Sequence, residues 1–295
     1  MSVFRCGTIA IVGRPNTGKS TLLNRLVGEK LSIVSPKAQT TRHVVTGILN
    51  EPECQFVFLD APGLQERERE TLHRMLNRRA LEIMRGSDIV VFVVEAGRLG
   101  IEDRQVLAHI PREAKPIVVV NKVDRMRQAS QLLPFVERLA RERDFQAIVP
   151  VSAKTGKNIP ELLRVLRAAL PEAPRLFPPE QLTDRDERFF AAELLREKLF
   201  QQLGEELPYR CEVLVESFRE DGRLRRVEAA ILVDKESQKG IVVGAGGARL
   251  KRIAEAARKD MERLFGGKVY LGVWVKVRRG WSDNERVLRQ LGYGS

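Results

Sequence analysis

The sequence predicts two domains of different class: a mixed, mostly parallel α/β sheet, then a smaller α+β domain. Three observations carry this. Up to Leu170, apolar strand-like runs alternate with longer helical patterns, the rhythm of a sheet covered on both faces. Pro171, Pro174, Pro178 and Pro179 then cluster into a stretch that reads as a stiff linker. Beyond it the order changes to helix, two strands, two helices and a last strand, and 295 residues is too long for one typical domain.

The first domain is placed at residues 1–172. Its candidate strands are Thr8–Val12, Val44–Leu49, Gln55–Leu59, Ile89–Val94, Ile117–Val120 and Ala147–Val151. The second and third are separated only by Asn50 to Cys54, too little for a crossover helix, so that pair must be antiparallel. Amphipathic stretches beginning at Ser20, Glu66, Glu102, Gln131 and Ile159 supply the covering helices. The linker is placed at 173–182 and the second domain at 183–295. There a helix (Asp184–Leu203) precedes strands Arg210–Phe218 and Val227–Asp234, turned through Asp221-Gly222. A short helix ending at Gly244, a longer one (Ala248–Leu264) and a strand (Val269–Val277) complete it.

Composition narrows the function classes. The longest apolar run, Ile89–Val94, has six residues, against roughly 18 for a membrane-spanning helix. The N-terminus lacks the apolar stretch of a secretory signal, which predicts a cytoplasmic protein. Three cysteines without a CxxC pattern argue against disulfides and zinc, and predict reduced, buried thiols. His43, His73 and His109 are isolated and read as solvated or capping side chains. Fifty-one Lys and Arg against 39 Asp and Glu give a formal charge of +12, the balance of a protein with a polyanionic partner. From Lys239 to Arg279 there are 11 basic and 3 acidic residues, a local density that points to nucleic acid.

The motifs specify the chemistry. Gly13-Arg-Pro-Asn-Thr-Gly-Lys-Ser20 fits GxxxxGK[ST], directly after a strand and before a helix. In that context the loop Gly13, Arg14, Pro15, Asn16, Thr17 and Gly18 surrounds phosphates, every residue but Pro15 offering a backbone N–H, Lys19 reaches the outer ones, and Ser20, followed by Thr21, binds Mg²⁺. Asn121-Lys-Val-Asp124 chooses the base: an aspartate accepts both the ring N–H and the exocyclic amine of guanine, a donor pair adenine lacks. Asn121 and Lys122 hold neighbouring loops and flank the base, and Ser152-Ala153-Lys154 supplies a backbone N–H to guanine O6. GTP and GDP are the expected ligands.

Asp60-Ala61-Pro62-Gly63 ends a strand, placing Asp60 to reach Mg²⁺ through water and Gly63 to sense the γ-phosphate through its N–H. Gln39-Thr40-Thr41-Arg42 offers a hydroxyl that closes on Mg²⁺ only with the γ-phosphate present; Thr41 is chosen, with Thr40 next. The metal set is thus Ser20, Thr41 and Asp60, and the catalytic set Lys19, Asn16, Thr41 and Gly63. Ras-like enzymes carry a glutamine after the DxxG glycine to orient water, whereas this chain has Leu64, so slow hydrolysis is expected. Gln65 is one residue displaced and is discounted. Asn16 is a candidate to bind K⁺ where an arginine finger would stand, which makes K⁺ or RNA stimulation an expectation.

In the second domain, Gly244-Ala245-Gly246-Gly247 lies between two helical segments. Such a GxxG turn brings backbone amides and a helix N-terminus close to a nucleic-acid backbone, as in KH domains. With the α-β-β-α-α-β order and Lys239, Arg249, Lys251 and Arg252 nearby, a type II KH domain binding single-stranded RNA is the leading reading. Trp274 reads as core, and Trp281, after Arg278-Arg279-Gly280, as the more open of the two tryptophans.

At this point the chain resembles the Era family of bacterial GTPases, a Ras-like GTPase domain followed by a type II KH domain. The resemblance rests on GRPNTGKS, KAQTTRH (Lys37–His43), DAPGL, NKVD and SAKTG (Ser152–Gly156), with LPY (Leu207–Tyr209), AARKDM (Ala256–Met261), VWVKVRRGW (Val273–Trp281) and LRQLGY (Leu288–Tyr293) later. It implies GTP hydrolysis, assistance in small ribosomal subunit maturation through the 3′ end of its ribosomal RNA, and peripheral inner-membrane association. Relatives often carry a lysine at the centre of GxxG, where this chain has Ala245 and Gly246, which shifts phosphate attraction toward Arg249 and Lys251. A second reading is an RNA-binding assembly scaffold in which GTP is mainly structural; a third, a membrane-surface regulator, would use Ala248–Leu264. Monomer is the default state.

Overall fold

The computed structural model describes residues 3–35, 37, 40–64, 70–126, 128–204 and 206–293. The chain forms two compact units: residues 1–32, 41–68 and 73–184, and residues 33–40, 69–72 and 185–295.

The first unit is built on six strands, β1 (Arg5–Val12), β2 (Val45–Asn50), β3 (Cys54–Asp60), β4 (Ile89–Glu95), β5 (Ile117–Asn121) and β6 (Ala147–Pro150), in the order β2-β3-β1-β4-β5-β6. β2 runs antiparallel to β3, as the short connection requires, and the other pairs are parallel. Central strands buried on both faces need continuous apolar runs, and Ile89–Val94 and Ile117–Val120 are buried throughout. Helices α1 (Lys19–Val27), α2 (Thr71–Gly86), α3 (Ile101–His109), α4 (Leu132–Ala140) and α5 (Ile159–Ala169) follow the strands. The expected helix start at Glu66 lies outside the described residues.

The parallel strands β1, β3, β5 and β6 deliver four loops to one sheet edge, at their carboxyl ends, where α/β sheets bind ligands. The proline-rich stretch is hydrogen-bonded to this unit. Buried Gln55 donates to the Phe177 carbonyl at 2.8 Å and accepts from the amides of Leu176 and Phe177, while Ile48 N donates to Leu182 O at 2.8 Å.

The second unit has helix α6 (Glu187–Gln202), strands β7 (Glu212–Asp221) and β8 (Leu224–Val233), helices α7 (Glu236–Val243) and α8 (Ala248–Phe265), strand β9 (Lys268–Val277) and helix α9 (Glu285–Gln290). β8 pairs antiparallel with β7 and parallel with β9. Ile253, Ala257, Met261 and Phe265 form the buried stripe of α8, at the four-residue spacing of one helix face. On α6, buried Arg196 is held by Glu193 at 2.6 and 2.8 Å and donates to the Thr40 carbonyl at 2.5 Å.

Two features differ from expectation. Helix α9 was not anticipated: its six residues are too few to show a helical period, and it depends on Asn284, whose side chain caps the Val287 amide. The tryptophans exchange roles. Trp281 is fully buried with Nε1 donating to the Arg210 carbonyl at 3.3 Å, whereas Trp274 is half-buried beneath the Lys276 ammonium. Gly280, at φ 65°, turns the chain so that Trp281 points inward, which the flanking arginines do not disclose. All three cysteines are buried, and no helix among the described residues is long and apolar enough to cross a membrane.

Candidate functional site

The loop after β1 is closed by contacts that exclude side chains. A Cβ on Gly13 would stand 2.4 Å from the Val93 carbonyl oxygen. One on Gly18, at φ +96°, would stand 2.4 Å from Asn121 Nδ2. Three non-glycine residues among those described have positive φ, and two of them, Asn16 (63°) and Lys122 (65°), sit here, the placement expected of strain held at a functional site. Thr17 Oγ1 donates to the Arg14 carbonyl at 3.1 Å.

Lys19 is buried, and its ammonium donates to the carbonyls of Gly13 and Arg14 at 3.0 and 3.1 Å. Burial lowers its pKa to about 8, against the attraction of Asp60. Asp60 is fully buried, and among the described residues neither carboxylate oxygen has a partner at normal hydrogen-bond geometry, the Ser20 and Ser32 side chains being its polar neighbours. Burial raises its pKa, and the nearby Lys19 ammonium offsets part of the rise. Thr41 Oγ1 meets Ser20 Oγ at 2.9 Å. Two paired hydroxyls and an orphaned buried carboxylate form an all-oxygen donor set, the kind Mg²⁺ takes together with phosphates and waters. Thr40 is engaged otherwise: its hydroxyl donates to the Lys37 carbonyl at 2.9 Å and its own carbonyl accepts from Arg196. Gln39 and Gln65 lie outside the described residues.

The loops after β5 and β6 are tied to the loop after β1 by a buried side-chain amide and by Lys122. Asn121 Nδ2 donates to the Thr17 carbonyl at 2.8 Å, and its Oδ1 accepts from the Ala153 amide at 3.0 Å. Asp124 is exposed and oriented by the Ser152 hydroxyl at 2.5 Å. Lys122 spans from the Asn16 carbonyl (2.6 Å) to Glu95 (3.1 Å). Gly63 abuts Pro15, a Cβ there standing 3.2 Å from the proline ring, and Ala61 is buried. Pro62 completes that loop, and Thr21 is half-buried in the first turn of α1. Leu64 packs on the apolar cluster around Val12, Phe92 and Val94, so its side chain serves the core.

Sequence reasoning missed the anchor of Arg14. Its guanidinium is buried, pairing with Glu95 at 3.1 Å and with fully buried Asp103 at 3.1 Å, while its carbonyl accepts from Thr17 Oγ1 and Lys19 Nζ. Burial opposes ionisation of Glu95, yet Lys122 and Arg14 outweigh it and hold its carboxyl below the usual range. No spacing rule links positions so far apart.

In the second unit, Gly244, Gly246 and Gly247 have φ of 73°, 56° and 79°. A Cβ on Gly244 would stand 2.8 Å from Arg249 Cβ, whereas Gly246 and Gly247 face open space. Their main chain is therefore approachable, as a backbone-binding loop requires. Lys251, Arg252 and Ala245 are exposed, and Lys239 is half-buried beside Glu236. Arg249 donates from Nη1 to the Ile241 carbonyl at 2.6 Å, capping α7.

Two family profiles match, one described as a 50S ribosome-binding GTPase over residues 8–122 and one as a KH domain over residues 206–282. The chain is 52% identical over 292 residues to GTPase Era of Nitrosomonas eutropha, covering 99% of both chains. It is 51% identical to GTPase Era of Chromobacterium violaceum, covering 98% of each. Among solved structures it resembles an Aquifex aeolicus Era variant bound to GDP·AlF4⁻ (TM-score 0.96, 36% identity, 99% and 100% coverage). It also resembles Era in complex with MgGDPNP and nucleotides 1506–1542 of 16S ribosomal RNA (TM-score 0.95, 36% identity, 99% and 100% coverage). With both domain profiles matched in order and more than half of its residues identical to those of GTPase Era over nearly the full length, the chain belongs to the Era family of GTPases and hydrolyses GTP.

Proposed function

We propose that the protein is a GTP-controlled switch that binds the 3′ end of small-subunit ribosomal RNA through its GxxG turn and assists assembly of the small subunit. The observation that carries it is the pairing of Thr41 with Ser20 beside the orphaned carboxylate of Asp60. Ser20, Thr41 and Asp60 would hold Mg²⁺, which supplies charge neutralisation at the β- and γ-phosphates. Thr41 lies on a loop rather than on a regular element, so its position can follow the γ-phosphate while Ser20 and Asp60 stay fixed. The main chain from Gly13 to Gly18 with Lys19 would cradle the phosphates, and Asp124 with Ser152, Ala153 and Lys154 would select guanine. The likeness to the complex with 16S ribosomal RNA nucleotides supports the RNA partner.

Leu64 favours a second reading, an RNA-binding scaffold stabilised by GTP, because a core-packed leucine orients no water. Lys19→Ala separates the two: it removes every effect of GTP on RNA binding in the switch, and in the scaffold lowers thermal stability while RNA affinity stays constant. If Asn16 helps hold K⁺, turnover falls when Na⁺ replaces K⁺; an unchanged rate removes that role.

A further inference from the structure

The amides of the loop from Ser152 to Gly156 have an accounting that singles out one of them. Ser152 N donates to the Lys157 carbonyl (3.1 Å), Ala153 N to Asn121 Oδ1 (3.0 Å), Thr155 N to Ser152 Oγ (3.2 Å) and Gly156 N to the Ser152 carbonyl (2.8 Å). Among the described residues, the Lys154 amide alone in this loop has no hydrogen-bond partner. It is also exposed.

What fixes that amide stands on another element. Arg25, in the last turn of α1, donates from Nε to the Ala153 carbonyl at 3.0 Å and from Nη2 to the Lys154 carbonyl at 2.7 Å. The Ala153 carbonyl and the Lys154 N–H share one planar trans peptide and point in opposite directions. Holding the oxygen therefore aims the N–H away from Arg25. Gly156, at φ +84°, makes the left-handed turn that closes this loop next to the Arg25 guanidinium.

We infer that Arg25 is a positioning residue for base selection, which aims the Lys154 N–H at the 6-position of the purine. The inference rests on the guanine assignment of Asp124 and deepens it. Guanine presents an acceptor, O6, to this donor, whereas adenine presents an amine whose N–H would face another N–H. Helix α1 then serves both ends of the nucleotide: its first residues, Lys19 and Ser20, meet the phosphates, and Arg25, about 9 Å further along its axis, sets the base loop.

The test uses the full chain with Arg25→Met and Arg25→Lys, and three nucleotides at neutral pH. GDP carries both guanine handles. IDP keeps O6 but lacks the 2-amino group read by Asp124, and 6-thioguanosine diphosphate keeps the 2-amino group but has a weakly accepting sulfur at position 6. Arg25→Met is expected to weaken GDP and IDP alike, about fivefold for one mis-aimed hydrogen bond, and 6-thioguanosine diphosphate hardly at all. The preference for GDP over the thio analogue then shrinks about fivefold while GDP over IDP holds, and Arg25→Lys recovers part of the loss through a single donor. Equal loss for all three nucleotides, or none, overturns the inference and leaves Arg25 a strut. Wild-type protein that binds GDP and IDP alike overturns instead the guanine assignment itself.

Discussion

Replacing Asn121 with alanine tests whether the nucleotide site is held together before any ligand arrives. The side chain is 2% exposed, and it joins the Thr17 carbonyl and the Ala153 amide, on residues 0% and 1% exposed, at 2.8 and 3.0 Å. Alanine removes two hydrogen bonds of about 1 kcal/mol each and leaves a buried donor and a buried acceptor unmatched, for a total of about 3 kcal/mol. That is roughly a 150-fold change in the folding equilibrium. Urea denaturation of the ligand-free protein, read by pulsed hydrogen exchange of β1, β4 and β5, should show this loss. Both tryptophans lie in the second unit, so tryptophan fluorescence gives an internal control that should not move. GDP affinity should fall as well, since the phosphate and base loops are then no longer fixed to each other. Lost GDP binding with an unchanged denaturation midpoint would refute the reasoning, because Asn121 would then act on the ligand alone.

Glu95 gives a pH signature. Its carboxyl is held below its ordinary value of 4.5, so its stabilising contribution is present at neutral pH and is lost as pH falls through the folded value. Glu95→Gln should therefore destabilise the first unit at pH 7, with the difference from wild type shrinking on acidification below about pH 4.5; equal differences at pH 7 and pH 4 contradict the ion-pair account. Trp281→Ala should lower the stability of the second unit by about 3–5 kcal/mol by chemical denaturation, whereas Trp274→Ala should cost much less. Neutralising Lys251 and Arg252 together should weaken single-stranded RNA binding and reduce the log–log salt slope by about 1.4, while GDP affinity holds. An unaltered slope would place the phosphate contacts elsewhere.

The elements were legible where period and length are sufficient. Ile89–Val94 and Ile117–Val120 announce central strands, and the few residues between β2 and β3 dictate their antiparallel pairing. The phosphate loop was legible because its glycines serve main-chain geometry, which the sequence states directly. Side-chain destinations were less so. Arg14 lies inside the motif, yet its guanidinium is spent on Glu95 and Asp103, partners brought near only by the parallel order of β1 and β4. Arg249 also caps the Ile241 carbonyl at the end of α7, a contact that its position in the motif does not state. Trp281 follows two arginines and a glycine, and only the left-handed turn at Gly280 sends it into the core. Arg25 has no motif at all; its meaning comes from two carbonyls more than a hundred positions away.

The central claim is that nucleotide state controls RNA binding. The most direct measurement is the affinity of the full chain for a single-stranded RNA carrying the small-subunit 3′ terminal sequence, loaded in turn with GDP and with a non-hydrolysable GTP analogue across a salt series. The switch account predicts binding at least tenfold tighter with the analogue, a coupling of about 1.4 kcal/mol. Equal affinity in the two states, at every salt concentration, would contradict it.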